Sequence, residues 1–395
     1  MLVSPLCPQD TGPDLAARAD LPAADRRFLE RAIRLGARGW GRVEPNPMVG
    51  CVIVRDGETV GEGWHAEYGG PHAERAALSD AGGRARGATA YVSLEPCRHH
   101  GKTPPCTRAL VEAGIRRVVY GASDPGPDAG GGGEELRGAG IRVEGPMLGH
   151  REARILNPGF FHAEPGRPWT ALKLAVSLDG RISAAKGART QLTGRDVHAC
   201  VHRLRAGFDA ILVGTRTALV DDPLLTVRGE VTPRIPPRRV VLDAGGKIPA
   251  GARILREGDG DVLFYTTPAS SGQWRRSIER MGGEVTEVES GPGEGVSLPA
   301  VLGSLRTSGV GRLLCEGGGK LAGSLLREGL VDRMYLAFAL CLLGPGGVPA
   351  FRWGEGGSPL PPGRPGGGGG GWEWIGRPRR LGTDLWTVLE PTGGS

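Results

Sequence analysis

In the stretch GGPHAERAAL, His72 and Glu74 flank a single alanine at the mouth of an expected helix, and LEPCRHHGKTPPC then supplies Cys97 and Cys106. Catalytic zinc takes three protein ligands, drawn from thiolate, imidazole and carboxylate, and keeps a fourth position for water. His72, Cys97 and Cys106 offer one nitrogen and two thiolates, which meets that count. Glu74 is too close to His72 to be needed as a ligand and is better suited to carry protons beside the water. The competing interpretation is a half-buried histidine near two inert cysteines. His99 and His100 lie inside the cysteine loop, where a supporting or substrate-facing role competes with ligation. Cys51 falls in an apolar strand and is most simply core; Cys7, Cys200, Cys315 and Cys341 have no partner spacing and are read the same way.

The elements that must position these residues alternate. DRRFLERAIRLGARG carries apolar residues at helical spacing, with Asp25 as its expected N-cap. MVGCVIV is a buried strand, and DGETVGEGWH turns into its hairpin partner. The helix opened by His72 follows, then strand ATAYVSL, helix PPCTRALVEAG, strand RRVVYGA and a last helix–strand unit. Helix N-termini favour anions, so both metal-bearing segments sit where a thiolate is helped. A second alternating series starts near Trp169 and runs to VDRMYLAFAL, with WEWIGRPRRLGTDLWTVLEP as a closing hairpin. Alternation of this kind implies sheets flanked by helices. The expected organisation is an extension over 1–24, one domain over 25–150 and another over 151–395, with a Gly/Pro-rich loop at 356–371.

Composition narrows the chemistry. The chain has 395 residues, 39% hydrophobic and 23% charged, as expected for two or three folded domains. Its net charge of +6 falls on the second half, since the first 150 residues are near neutral. No basic tract or aromatic-interleaved basic stripe is present, which argues against nucleic acid as partner. The N-terminus lacks the charged and apolar regions of a signal peptide, and the longest uncharged apolar run, 334–343, is about half a membrane span. Seven cysteines argue against a disulfide framework, so the cytoplasm is the expected location, with no membrane partner.

His-Ala-Glu followed by Pro-Cys and a second cysteine matches the zinc-deaminase signature, H-x-E with P-C-x-x-C, although eight residues separate these cysteines instead of two. With PNPMVGCVIV, GWHAEYGGPHAE and DPGPDAGGGGEELRGAGI, the chain resembles the bifunctional riboflavin-biosynthesis deaminase–reductase family, from about residue 25 to about residue 390. The resemblance implies a cytidine-deaminase-like α/β/α domain followed by a dihydrofolate-reductase-like α/β domain. It implies hydrolysis of the 2-amino group of a diaminopyrimidinone bearing a ribosylamino 5′-phosphate, with zinc on His72, Cys97 and Cys106 and Glu74 as proton carrier. Asn46, between two prolines, can offer a donor and an acceptor to the pyrimidine edge, and Lys102 is the candidate for the phosphate.

The second domain resembles the family's NADPH-dependent reductase, which opens the ribosyl group to a ribityl chain. LKLAVSLDGRI, ILVGTRTALVDDPLLTVR and CEGGGKLAGSLL carry that likeness. Matched to the family's motifs, Ala175, Thr217, Asp221, Gly318, Gly319, Lys320, Leu321, Ala322, Gly323 and Ser324 fall on cofactor positions. Arg205, Leu225, Arg228 and Glu316 fall on substrate positions. The glycine run before a helix suits close approach of a pyrophosphate, and Arg205 with Arg228 suits a phosphate clamp. Departures stand at Gln191, where the family usually has an aromatic residue, at Ala244, often serine, and in the glycines of DPGPDAGGGG. The rival readings are a nucleic-acid deaminase, opposed by the neutral first domain, a binding or assembly protein with a structural zinc, which would have four protein ligands, and a working deaminase with a weakened reductase. The expected partner is a phosphorylated pyrimidine, and the expected assembly is a homo-oligomer.

Overall fold

The structure, a computed structural model, describes residues 22–100, 104–126, 128–162, 164–352 and 371–392. The chain packs as two compact units, one ending at His162 and the other beginning after it. Among the described residues no helix is long and apolar enough to cross a membrane.

In the first unit, α1 (Ala23–Gly36) precedes the hairpin β1 (Gly50–Arg55) and β2 (Glu58–Trp64). Then come α2 (Ala73–Ala81), β3 (Thr89–Leu94), α3 (Cys106–Glu112), β4 (Arg117–Ala122), α4 (Gly132–Gly138), β5 (Arg142–Glu144) and α5 (His150–Leu156). The sheet order is β2-β1-β3-β4-β5, antiparallel on both sides of β1 and parallel from β3 to β5. Period-two alternation sends Cys51 and Ile53 to the face covered by Ala73, Ala77 and Leu110, while Val52 and Val54 meet Phe28, Ala32 and Leu35 of α1. The result is the α/β/α sandwich.

Glycine brings α2 unusually close to the sheet. A Cβ on Gly61 would lie 2.4 Å from the Ala77 carbonyl oxygen, and one on Gly63 would lie 2.3 Å from the Ala77 nitrogen. The alanine face of α2 therefore seats directly on β2, which fixes where His72 and Glu74 emerge. Asp25 lies in the first turn of α1, not at its N-cap, which is Pro22. Its buried carboxylate instead receives Arg117 at 2.7 and 2.8 Å and the Tyr91 hydroxyl at 2.6 Å, an ionic use that helical spacing alone cannot show.

In the second unit the elements run β6 (Trp169–Ser177), β7 (Arg181–Ser183), α6 (Arg195–Ala206), β8 (Ala210–Gly214), α7 (Thr215–Asp221) and β9 (Arg238–Leu242). They continue with α8 (Arg253–Arg256), β10 (Val262–Thr266), α9 (Gly272–Glu279), β11 (Glu284–Glu287), α10 (Leu298–Thr307) and β12 (Arg312–Cys315). Last come α11 (Gly319–Arg327), β13 (Arg333–Ala339), β14 (Val348–Pro349), β15 (Trp372–Trp374), β16 (Arg379–Leu381) and β17 (Asp384–Pro391). The main sheet is ordered β11-β10-β9-β8-β12-β6-β13-β17-β15; it is parallel from β11 to β13, and β17 pairs antiparallel with β13, β15 and β16. One face packs on Val301, Leu302 and Leu325 from α10 and α11, the other on Ala218 and Ile278 from α7 and α9. The 334–343 run is strand β13 and its exit. Cys341 there is exposed, unlike buried Cys51, Cys200 and Cys315, because it lies past the strand's end.

The division after His162 leaves 151–162 with the first unit, whereas a seam at 150/151 would assign α5 to the second. The reason is local bonding: Asn157 Oδ1 accepts the Met48 N–H at 2.7 Å and its Nδ2 donates to the Met48 carbonyl at 3.2 Å.

Candidate functional site

His72 is the N-cap of α2, and Cys106 is the first residue of α3. Cys97 lies after β3, and its carbonyl accepts the N–H groups of Cys106 and Thr107 at 3.1 and 3.3 Å, so one cysteine's backbone caps the helix that the other begins. Three ligand atoms converge in this way. His72 Nδ1 is 3.5 Å from Cys97 Sγ and 3.4 Å from Cys106 Sγ, and all three lie within 4.8 Å of one another. An N/S/S set of this compactness suits zinc, and a set of three leaves a position for water.

The electrostatics match. The neighbouring Cys106 thiol, opposed by burial and helped by His72, lowers the Cys97 pKa, which favours the thiolate form that binds metal. Cys97 and burial push the Cys106 thiol upward, and a zinc ion bound there would displace its proton. Glu74 is 3% exposed, and burial followed by the Cys97 thiolate raises its carboxyl to about 7. A carboxyl held there exchanges protons near neutrality.

These groups open on a cavity of about 620 Å³, lined also by Asn46, His65, Tyr68, Glu95, Asp124 and Phe160. His99 faces the cavity but stands outside the ligand cluster, and His100 is exposed. Lys102 lies outside the described residues, as do Cys7 and most of 356–371. Two lining residues gave no sequence signal. Glu95 accepts the Gly133 N–H at 2.9 Å and the Asp124 N–H at 3.3 Å, thereby clasping both ends of the glycine-rich loop. His65 is buried, contacts the Pro71 carbonyl and Asn46, and burial lowers its pKa.

In the second unit the candidate residues gather beyond the C-terminal ends of the parallel strands, the usual ligand side of such sheets. Thr217 and Asp221 lie on α7 after β8, Glu316 to Ser324 follow β12, and Ala175 lies near the end of β6. Arg205 is largely buried and its fork is already engaged, with Nε 2.6 Å and Nη2 3.0 Å from the Glu316 carboxylate and Nη1 donating to the Thr226 carbonyl at 2.9 Å. Burial alone would raise Glu316, but the Arg205 guanidinium wins and holds it below the usual carboxylate range. Arg228 is exposed, and its N–H donates to His202 Nδ1 at 3.1 Å. His202 is pushed down to about 4 by burial and by Arg205 and Arg228. Leu225, buried and at φ 53°, sits in the same loop. Lys173, the one charged side chain of β6, has its pKa lowered by burial, with Glu316 as the largest opposing charge.

The glycine run has a different cause from the one its sequence suggests. A Cβ on Gly319 would lie 2.3 Å from the Pro349 oxygen and one on Gly323 would lie 2.2 Å from the Arg352 oxygen, so these two glycines admit the protein's own backbone. The Gly318 N–H is taken by Thr217 Oγ1 at 3.1 Å. The first helical bond of α11 runs from Ala322 N–H to the Gly318 carbonyl. The N–H groups of Gly319, Lys320 and Leu321 are therefore the ones without a helical partner, and they fit an anionic group such as a cofactor's pyrophosphate. Gln191 is exposed, and Ala244 packs at the core edge, its carbonyl accepting the Thr266 and Thr267 hydroxyls.

Comparison with known proteins places this geometry among relatives. Residues 22–122 match the cytidine and deoxycytidylate deaminase zinc-binding region, and residues 168–358 match the RibD C-terminal domain. The riboflavin biosynthesis protein RibD of Escherichia coli is 41% identical over 333 residues, 81% of this chain and 89% of that protein. The Aquifex aeolicus protein of the same name is 37% identical, over 82% and 88%. Among solved structures, Acinetobacter baumannii RibD aligns with a TM-score of 0.74 at 35% identity, covering 93% of this chain and 99% of that one. A Thermotoga maritima diaminohydroxyphosphoribosylaminopyrimidine deaminase/5-amino-6-(5-phosphoribosylamino)uracil reductase aligns at 0.73 and 32%, with the same coverage.

Proposed function

The chain belongs to the RibD family of riboflavin-biosynthesis proteins, and from that premise we propose how its own residues divide two reactions. It is a bifunctional enzyme that uses zinc and NADPH. It deaminates 2,5-diamino-6-ribosylamino-4(3H)-pyrimidinone 5′-phosphate hydrolytically and then reduces the ribosyl side chain to ribityl.

The observation that carries the residue assignment is the convergence of His72, Cys97 and Cys106 beside a buried, proton-exchanging Glu74. His72, Cys97 and Cys106 would hold the zinc, which when bound supplies Lewis-acid activation of water at neutral pH. Glu74 takes one proton from the attacking water and passes it to the ring nitrogen, then takes the second from the new hydroxyl as it becomes the carbonyl and delivers it to the amino group, which leaves as ammonia. Asn46 holds the pyrimidine edge, and Lys102 takes the phosphate. Phe160 and Leu94 give the cavity an apolar wall against which the pyrimidine packs.

In the reductase, NADPH supplies the hydride. Gly319, Lys320 and Leu321 offer backbone N–H groups to its pyrophosphate, with Ala175, Thr217, Asp221, Gly318 and Ser324 in the cofactor wall, while Ala322 and Gly323 pack inward and hold α11 behind it. Glu316, kept ionised by Arg205, faces the substrate with Leu225, and the exposed Arg228 takes the phosphate that the engaged Arg205 fork leaves to it. The reading carries with it a cytoplasmic homo-oligomer, which sedimentation of the purified chain tests. For the chemistry, the zinc-loaded chain is given the diaminopyrimidinone and ammonia is followed; NADPH is then added and its absorbance followed. Ammonia release without NADPH consumption would leave only the deaminase.

A further inference from the structure

We propose that His65 is a positioning residue that fixes which end of the Asn46 side-chain amide faces the deaminase substrate. The inference rests on the assignment of Asn46 to the pyrimidine edge. His65 Nδ1 lies 3.0 Å from the Pro71 carbonyl oxygen. A carbonyl can only accept, so the imidazole proton is on Nδ1, and a neutral ring protonated there leaves Nε2 as an acceptor. Asn46 Nδ2 stands 3.2 Å from that Nε2 and donates to it. The flipped amide would set the Oδ1 lone pairs against those of Nε2. Asn46 thus keeps Oδ1 and its second amide hydrogen for the cavity that it and His65 both line.

The surroundings leave the amide little else to vary. Pro45 and Pro47 restrict the main chain on both sides of Asn46, and the Asn46 N–H is bonded to the Val43 carbonyl at 3.0 Å. With the amide held against Nε2 of His65, its two-fold orientation is set by which end that nitrogen can accept. His65 itself is 3% exposed and its N–H is tied to the Val49 carbonyl at 2.9 Å, so the ring is a fixed reference. Its anchor, Pro71, directly precedes His72, which joins the substrate-reading amide to the metal-bearing segment through a single imidazole.

A double-mutant cycle on the full-length chain tests this, reading zinc content, kcat and KM for deamination. Asn46→Ala should raise KM. His65→Leu should raise KM roughly fivefold, the worth of one neutral hydrogen bond, with zinc content unchanged. In the Asn46→Ala background His65→Leu should add nothing, since there is no amide left to orient. His65→Gln, which carries both a donor for Pro71 and an acceptor for Asn46, should restore most of the wild-type KM. His65→Met repeats the cycle if the leucine variant does not fold. An unchanged KM in Asn46→Ala would overturn the assignment of Asn46 itself. A raised KM in Asn46→Ala that His65→Leu multiplies further, or a loss of zinc in the His65 variants, would overturn the positioning role alone.

Discussion

Cys97 and Cys106 are the same side chain with pKa values pushed in opposite directions, because each is the other's strongest neighbour. Replacing Cys106 by serine keeps an O–H donor but removes a soft ligand that ionises to bind zinc. Cys106→Ser should lose zinc and ammonia release while NADPH oxidation on the deaminated substrate persists; full zinc by atomic absorption would remove Cys106 from the ligand set. Glu74→Gln keeps size and burial but cannot exchange a proton. It should retain zinc yet lose about 100- to 10,000-fold in deamination rate, the usual worth of a general acid–base group. A variant keeping a tenth or more of the rate would leave Glu74 as an N-terminal helix charge. The ligand cluster and Glu74 were legible in the sequence because His-x-Glu and Pro-Cys are local strings. His65, Glu95 and Lys173 were not, because their partners, Asn46, Gly133 and Glu316, come from other segments and meet them only through folding.

The elements were legible where a long apolar run or helical spacing declared them, as in β1, β3, β6 and α6. α10 was not, since Gly303 interrupts Leu298–Thr307 and the glycine- and proline-rich 291–295 before it reads as loop, although Ser297 as N-cap and Pro299 in the first turn are start signals. Its burial of Val301, Leu302 and Leu305 against the sheet overrides those propensities. α1 shows the same lesson through charge: Asp25 reads as a cap, yet it pins the helix to β4 through Arg117, which also donates to Glu144 at 2.6 Å. The Arg117 hydrogen bonds hold both Asp25 and Glu144 below their ordinary values of 3.8 and 4.5. Groups with lowered folded pKa stabilise the fold fully above their unfolded values, and that contribution drains away as pH falls through the folded ones. Asp25→Asn should therefore cost roughly 1.5–3 kcal/mol near neutrality and almost nothing in strong acid. Denaturant midpoints of the first unit across pH check this, and an equal loss at both ends would assign the effect to packing.

At the scale of the whole chain, the two sets of chemical groups never share a unit. The zinc-ligand cluster and its cavity draw on residues from Asn46 to Phe160, and the reductase groups draw on residues from Lys173 to Ser324. The activities should therefore survive cutting, provided the cut respects the packing. A fragment ending at Gly149 follows the alternation of strands and helices, but it discards the two Asn157 bonds to Met48, two residues from Asn46, and removes Phe160 from the cavity wall. Two neutral hydrogen bonds are worth about 2 kcal/mol, and buried Phe161 leaves with them. Residues 1–162 should then bind zinc and release ammonia, whereas 1–149 should bind zinc weakly and deaminate poorly. Residues 164–395 should oxidise NADPH with the deaminated substrate. Zinc content, ammonia release and NADPH absorbance, measured on all three fragments with circular dichroism to show that each is folded, decide the matter. Equal deamination by 1–149 and 1–162 would mean that α5 and its Asn157 tie are dispensable to the site. Folded but inactive fragments of both kinds would mean that each reaction needs the other unit present.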